Sequence, residues 1–287
     1  TGTGELRACS PSLRPELFNA VLGGLGQFAL IVSATLKLIA APSQARVYRL
    51  FYSELEVFTH DQRLAAADER FDYLQGQVLL APEGGVQFML EAAAYYAPPA
   101  QPNDASLLAG LTPLPGLTVL EEHTYFDWQN RLAPAVEALR AGGQWALPHP
   151  FIDLFLPASA ADSYVGGVLE DLTVEDTGFG PVLCYPFKRA RSTRPFVVLP
   201  RAQTVFLFSI LRFSPPDPLV VNAHVADNRT LFERARDRGA KKYPIGSIPF
   251  THADWVEHFG GAFAPFVARK AQFDPRAVLT RGQGIFG

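Results

Sequence analysis

Leu22-Gly23-Gly24-Leu25-Gly26-Gln27-Phe28-Ala29-Leu30-Ile31 sets three glycines within four positions, ahead of an apolar run that continues through Val32, Ala34, Leu36 and Leu38. Glycine lacks a Cβ, so such a turn can take positive φ and let a flat ligand, or another part of the chain, approach the backbone. Both readings stay open on the glycines alone. Upstream, residues 15–22 suit a short helix with Pro15 in its first turn and Gly23-Gly24 ending it. Downstream, residues 29–40 read as a strand closed by Ala41-Pro42.

Outward from that turn, alternation begins at Arg46 and predicts a strand through Tyr52. Ser53, with Glu56 three residues on, has a capping-box pattern and predicts a helix. Strands follow over 71–80 and 86–96, with Gly84-Gly85 between them, then a proline-rich loop at 97–102. A strand over 119–125 leads into a helix over 125–140, interrupted or kinked at Pro134. Strands at 151–156, 182–187 and 205–213, helices at 158–171 and 219–238, and two short amphipathic helices at 253–259 and 263–273 complete the chain. Strands and helices alternate irregularly and neighbouring strands read as antiparallel, so an α+β layer fits better than a doubly wound sheet.

Composition narrows the function. The 287 residues can bury a sizeable core, and 48% hydrophobic against 18% charged residues excludes a disordered chain. A net charge of −3 gives no reason to expect a nucleic-acid partner. No apolar run approaches the ~20 residues of a membrane span. Cys9 and Cys184 allow at most one disulfide, sit in no metal-ligand spacing, and read as small buried apolar residues. A soluble protein is expected, with cytoplasmic and secreted locations both open, and no metal site.

Further motifs succeed one another along the chain: Cys9-Ser10-Pro11, Phe71-Asp72-Tyr73, Trp145 to Pro150, Gly180 to Pro186, Asp254-Trp255 with His258-Phe259-Gly260, and Phe273-Asp274-Pro275 ahead of Gly282 to Phe286. Together with the glycine turn, their order and spacing resemble the cytokinin dehydrogenases, within the FAD-linked oxidases related to vanillyl-alcohol oxidase. The resemblance implies the end of a FAD-binding domain (1–41), a substrate-binding cap domain with a largely antiparallel sheet covered by helices (42–240), and a return segment completing the FAD domain (241–287). It implies FAD as cofactor, with Ile31, Tyr243, Thr280 and Gln283 beside it. It also implies hydride transfer to flavin from a C–H next to an amine, as in the side chain of an N6-isoprenyl adenine. Thr1 to Arg7 reads as the second arm of a hairpin, and the resemblance places a further FAD-domain segment, with most of the pyrophosphate site, before it. The catalytic aspartate and flavin-linking histidine of the family belong to that segment, so no catalytic residue is assigned in this chain.

The substrate-facing positions depart from the family. Gln75 stands where the cytokinin enzymes carry a glutamate, Phe151 and Asp153 replace a tryptophan and an asparagine, and Leu132 replaces a valine, while Pro186 keeps its match. An adenine-type cytokinin, another small amine or an alcohol all remain candidate substrates, and a flavin-free binding or scaffold subunit is the alternative from a different class. Gly282 to Gly287 spells the dinucleotide fingerprint without the strand and helix that motif requires, so it is set aside. His149, between two prolines, reads as a structural residue of the turn into Phe151. Asp254 and His258, four residues apart, read as a surface pair on one helix face. The sequon at Asn228 falls inside a helix and reads as chance.

Overall fold

The computed structural model describes residues 1–287. In chain order its elements are α1 (Pro15–Val21), β1 (Gln44–Tyr52), α2 (Leu55–Asp68), β2 (Tyr73–Leu80), β3 (Val86–Tyr96), α3 (Asp104–Leu107), β4 (Val119–Thr124), α4 (Tyr125–Gln129), α5 (Ala133–Ala141), β5 (Ile152–Pro157), α6 (Ala158–Leu169), α7 (Val174–Thr177), β6 (Val182–Lys188), β7 (Thr204–Ile210), α8 (Pro218–Arg236), β8 (Lys241–Lys242), α9 (His252–Phe259) and α10 (Phe263–Phe273). They form two compact units, one of residues 1–38, 190–199 and 249–287, the other of 39–189 and 200–248.

Unit two is built on one eight-stranded antiparallel sheet, in the order β4-β1-β3-β2-β6-β7-β5-β8. Side chains alternate across a strand, so the register assigns each residue to a face. Gly76, Leu90, Cys184, Phe208 and Leu154 share one face, on which α2 and α6 lie. Phe58 of α2 stacks on Phe88 with ring centroids 5.1 Å apart, and Tyr164 of α6 meets Phe208 edge-on at 5.8 Å. The long helix α8 packs against α6, where the Tyr164 hydroxyl donates to the Leu231 carbonyl at 2.9 Å. Its start is fixed by Asp217, whose side chain accepts from Leu219 N, and by Pro218 in the first turn.

Unit one is a small aromatic core. Phe28, Phe196 and Phe266 meet pairwise at 4.8–5.5 Å, and Leu17, Trp255, Phe259, Phe273 and Ile285 close around them. The glycine turn is explained by these contacts. A Cβ on Gly24 would lie 2.1 Å from the Ala20 carbonyl and 2.5 Å from the Phe28 ring, and one on Gly26, at φ 69°, would meet Thr280 Oγ1 at 2.8 Å. Close packing, with no ligand invoked, therefore accounts for glycine here.

Beneath the turn lies Lys270, 6% exposed, with four oxygens around its Nζ: Asp274 Oδ2 at 2.7 Å, Leu279 O at 2.9 Å, Gln27 O at 3.0 Å and Gln27 Oε1 at 3.1 Å. Asp274 also accepts from the N–H groups of Val278 and Leu279. Burial opposes its charge, but Lys270 and these N–H groups outweigh that cost and hold its carboxyl below the usual range.

Several expectations need correction. Residues 29–40 are not a strand: no strand of the chain pairs with them, and Leu30, Ile31, Val32, Leu36, Leu38 and Ile39 are all exposed. A strand needs a hydrogen-bonding neighbour as well as the right side chains. The interruption expected at Pro134 within 125–140 is a full break into α4 and α5, with Pro134 in the first turn of α5, where its missing N–H costs nothing. Ser53 caps nothing; α2 starts after an extended Glu54. Asp254 and His258 are buried: Asp254 forms a capping box with Thr251, and His258 packs edge-on to Trp255 and Phe259. Cys184 is fully buried, but Cys9 is only half-buried. Asn228 is buried and donates to the carbonyls of Pro150, Phe151 and Ser247, which makes it a structural clamp.

Replacing Lys270 with Met leaves the Asp274 charge buried without its partner, and should cost about 3–5 kcal/mol of stability. Because Asp274 titrates below its unfolded value, its contribution is present above about pH 4 and is lost as pH falls through the folded value. Thermal unfolding against pH should show a stability loss in the wild type at acid pH that is blunted in Lys270→Met.

Candidate functional site

The face of the sheet opposite α2 and α6 carries most of the sheet's polar and charged side chains. Register places Gln75, Gln77, Glu91, Arg49, Leu183, Ser209 and Asp153 together on it. Apolar residues would be expected on both faces of a fully buried sheet; here one face mixes charged, amide and aromatic groups, most of them half-buried.

At the β4 end, Trp128 of α4 is buried against Ala45, Val47 and Ala93. Arg131 lies over the Trp128 ring at 3.8 Å and the Tyr73 ring at 4.7 Å, and reaches Glu91 at 3.6 Å. Glu91 also pairs with Arg49 at 3.1 Å, which holds Glu121 at 2.8 Å. The Tyr73 hydroxyl donates to Gln75 Oε1 in a short hydrogen bond. At the β8 end, Phe155 stacks on Tyr243 at 4.8 Å and meets Phe187 edge-on at 5.7 Å. Asp153 is 2% exposed; its Oδ1 accepts from Ser209 Oγ at 2.6 Å, while Oδ2 is buried without a hydrogen-bond partner. Burial pushes its carboxyl above the ordinary value, against the opposing Ser209 hydroxyl.

Of the residues expected at substrate, Gln75 and Asp153 share this face. Phe151, just before β5, stacks on His149 at 5.4 Å, the structural role expected of that histidine. Pro186 does not join them: it pairs with Phe206, over which Arg63 of α2 lies, and is buried on the helix-covered face. Leu132 is exposed at the start of α5, next to Arg131.

Of the residues expected at flavin, Thr280 and Gln283 belong to unit one. Thr280 Oγ1 donates to Gly26 O at 3.0 Å, and its carbonyl accepts from Gln27 Nε2 at 3.0 Å. Gln283 O accepts from Trp255 Nε1 at 2.9 Å, which pins the backbone and leaves the side-chain amide half-exposed. Ile31 follows the turn in the exposed 29–40 segment, Thr280 is held to the glycine turn, and Tyr243 lies in unit two.

Sequence reading placed Tyr73 in a motif without a role and passed over Arg49, Glu91 and Arg131. Its signal was there: Arg49 and Glu91 are single charges inside otherwise apolar strands, at positions that alternation assigns to the face of Gln75.

A large antiparallel sheet, helices on one side and a polar and aromatic face on the other, is the substrate-binding architecture of the FAD-linked oxidases. Within that class, the chain belongs to the cytokinin dehydrogenase family: the family model described as "Cytokinin dehydrogenase 1, FAD and cytokinin binding" matches residues 80–286. An uncharacterized oxidoreductase (ORF5) of the fasciation locus of Rhodococcoides fascians is 36% identical over 98% of this chain and 64% of its own length. Cytokinin dehydrogenase 2 of Arabidopsis thaliana is 33% identical over 100% of this chain and 63% of its own length. The chain thus spans under two thirds of these relatives. The crystal structure of 6-hydroxy-D-nicotine oxidase from Arthrobacter nicotinovorans matches the fold with a TM-score of 0.61 at 17% identity, over 96% of this chain and 62% of that one. No helix is long and apolar enough to cross a membrane.

The raised Asp153 carboxyl has a consequence for stability. The folded protein holds a proton that the unfolded chain releases, so this contribution is intact at low pH and is lost as pH rises from about 4 through the raised value. Denaturant titrations between pH 3 and pH 8 should show Asp153→Asn gaining on the wild type as pH rises.

Proposed function

We propose that this chain carries the substrate-binding part and one wall of the flavin site of a FAD-dependent oxidoreductase that oxidises a C–H next to an amine in an adenine-type cytokinin or a related small molecule. The observation that carries the reading is the polar and aromatic sheet face, with Gln75 and Asp153 on it, in a chain whose family model is one of FAD and cytokinin binding. Aromatic groups such as Phe155 and Tyr243 suit a flat heterocycle, and the polar groups beside them suit its orientation.

The residues present fit a flavin. Gln283 offers a side-chain amide from a backbone fixed by Trp255, Thr280 is locked to the glycine turn, and Ile31 offers an exposed apolar side chain four residues past Gln27. Bound FAD would supply the two-electron acceptor for the oxidation. Gln283, Thr280 and Ile31 would hold it, while Gln75, Phe151 and Asp153 orient the substrate. Asp153, with one buried oxygen free of any partner, can offer or accept a proton in a hydrogen bond to a substrate nitrogen.

The exposed run from Leu30 to Ile39 has a place in this reading. It alternates as a strand should and lacks a partner, which makes it an edge awaiting a neighbour. In this reading a further FAD-domain segment, of the kind the family resemblance implies, would supply that neighbour.

A second reading, an FAD-linked oxidase of another small alcohol or amine, is favoured by the same departures: an amide at Gln75 and a carboxyl at Asp153 make a site with its own polarity.

The test is spectroscopic. Residues 1–287 alone should take up FAD only weakly and below one equivalent, while the flavin-loaded protein should lose its oxidised-flavin absorbance when mixed anaerobically with isopentenyladenine. Tight stoichiometric uptake by residues 1–287 alone contradicts the division of the flavin site. Bleaching by a small alcohol or another amine, with none by the adenine, selects the second reading.

A further inference from the structure

Thr280 holds a backbone conformation that a β-branched residue avoids. Its φ is 47° and its ψ 48°, in the left-handed region, and its side chain is exposed. Such strain persists only where the surroundings over-determine it, and it gathers where ligands are clamped. Hydrogen bonds on both sides hold this residue. The Thr280 hydroxyl donates to Gly26 O at 3.0 Å, its carbonyl accepts from Gln27 Nε2 at 3.0 Å, and the preceding carbonyl, Leu279 O, accepts from Lys270 Nζ at 2.9 Å. Being exposed, Thr280 adds nothing to the aromatic core of unit one, so the strain is not offset by packing there.

Gln27 joins these anchors. It is 1% exposed and all its polar groups are engaged: N–H to Gly24 O, O and Oε1 to Lys270 Nζ, and Nε2 to Thr280 O. Both ends of its amide are fixed by atoms of the chain. Lys270 has only donors to offer, so Oε1 must face it, and Nε2 is left for the Thr280 carbonyl. Asp274 completes the frame, accepting from Val278 N at 3.0 Å and Leu279 N at 2.9 Å. Further on, Trp255 Nε1 holds Gln283 O and His252 Nδ1 holds Ile285 O, each at 2.9 Å. Residues 278–285 are thus pinned through their backbone, with the Gln283 side chain left half-exposed.

We infer that Gln27 and Lys270 are positioning residues for the flavin, which set Thr280 and Gln283 in their binding geometry before the cofactor arrives. This rests on the reading of residues 280–283 as part of one wall of the flavin site. The glycine turn then acts on the cofactor indirectly. Its glycines admit Phe28 and Thr280 at close range, and its Gln27 carries the alignment across to the terminal segment. Ordering the segment in advance removes that cost from the binding step, which raises affinity without any contact between Gln27 and the ligand.

The narrow test is Gln27→Glu. It keeps the shape and the oxygens that face Lys270, and sets a carboxylate oxygen against the Thr280 carbonyl in place of the N–H. Equilibrium dialysis of the 287-residue chain against FAD should give a dissociation constant about tenfold above the wild type, the equivalent of one hydrogen bond. Amide hydrogen exchange without flavin should quicken over 278–285 and stay slow in α9 and α10. Gln27→Met breaks the same link without adding a charge and should behave alike. Gln283→Ala should weaken FAD by itself, and combined with either Gln27 variant it should lose less than the product of the single losses, because Gln27 acts through that segment. A merely structural Gln27 would speed exchange throughout unit one and multiply with Gln283→Ala, which overturns the inference. Wild-type FAD affinity in both Gln27 variants, beside a loss in Gln283→Ala, overturns it while the flavin wall stands. If Gln283→Ala also binds as the wild type does, or the wild type takes up no FAD, the wall itself fails and the inference goes with it.

Discussion

A side chain at position 76 has nowhere to go. A Cβ on Gly76 would lie 2.1 Å from the Cys184 carbonyl and 2.6 Å from both Phe58 and Gln62 of α2. This is the seam where β2 meets β6 through only two paired positions, Gln77 with Leu183 and Val78 with Val182. The glycine lets α2 settle onto both halves of the sheet at once, and its register fixes everything beside it. With Gly76 under the helix, Gln75 and Gln77 must point the other way. The polarity of the open face thus follows from a packing constraint on the closed one.

The same logic joins stability to function across the sheet. Cys184, Phe208 and Leu154 bury themselves beneath α2 and α6, and their neighbours Leu183, Tyr185, Ser209 and Asp153 are carried to the other side. Burial leaves the Cys184 thiol inert, pushed up to about 12. On the open face, by contrast, each polar group is either held by a neighbour, as Glu91 is between Arg49 and Arg131, or left with one atom unsatisfied, as Asp153 is. Such half-satisfied groups are costly in a core and are retained where a ligand completes them.

Much of this was legible in the sequence. Strand 86–96 and helix 263–273 match the structure at both ends: the strand holds no proline or glycine, and the one proline of the helix, Pro265, sits in its first turn, where its missing N–H costs nothing. The irregular alternation of strands and helices indicated the α+β class, and the family resemblance the substrate sheet. What escaped was whatever depended on partners distant in the chain. The run from Leu30 to Leu38 has every local property of a strand and no neighbour to pair with. Asp254 and His258 look like a surface pair until Trp255, Phe259 and Phe250 enclose them. Segment 190–199 falls in the connection between strands 182–187 and 205–213, yet its Phe196 fills the aromatic core of the smaller unit. The turn glycines at 24 and 26 were ambiguous between ligand and packing, and the atoms that decide, Phe28 and Thr280, lie 4 and 254 residues away.

The central claim is that the sheet face bearing Gln75 and Asp153 meets the substrate, and that its helix-covered face does not. A crystal structure of the flavin-loaded protein with a bound heterocyclic ligand tests it most directly. The account requires the ligand within hydrogen-bonding distance of Gln75 or Asp153 and packed on the side of Phe155 and Tyr243. A ligand seated elsewhere, with both of those polar side chains untouched, would contradict it.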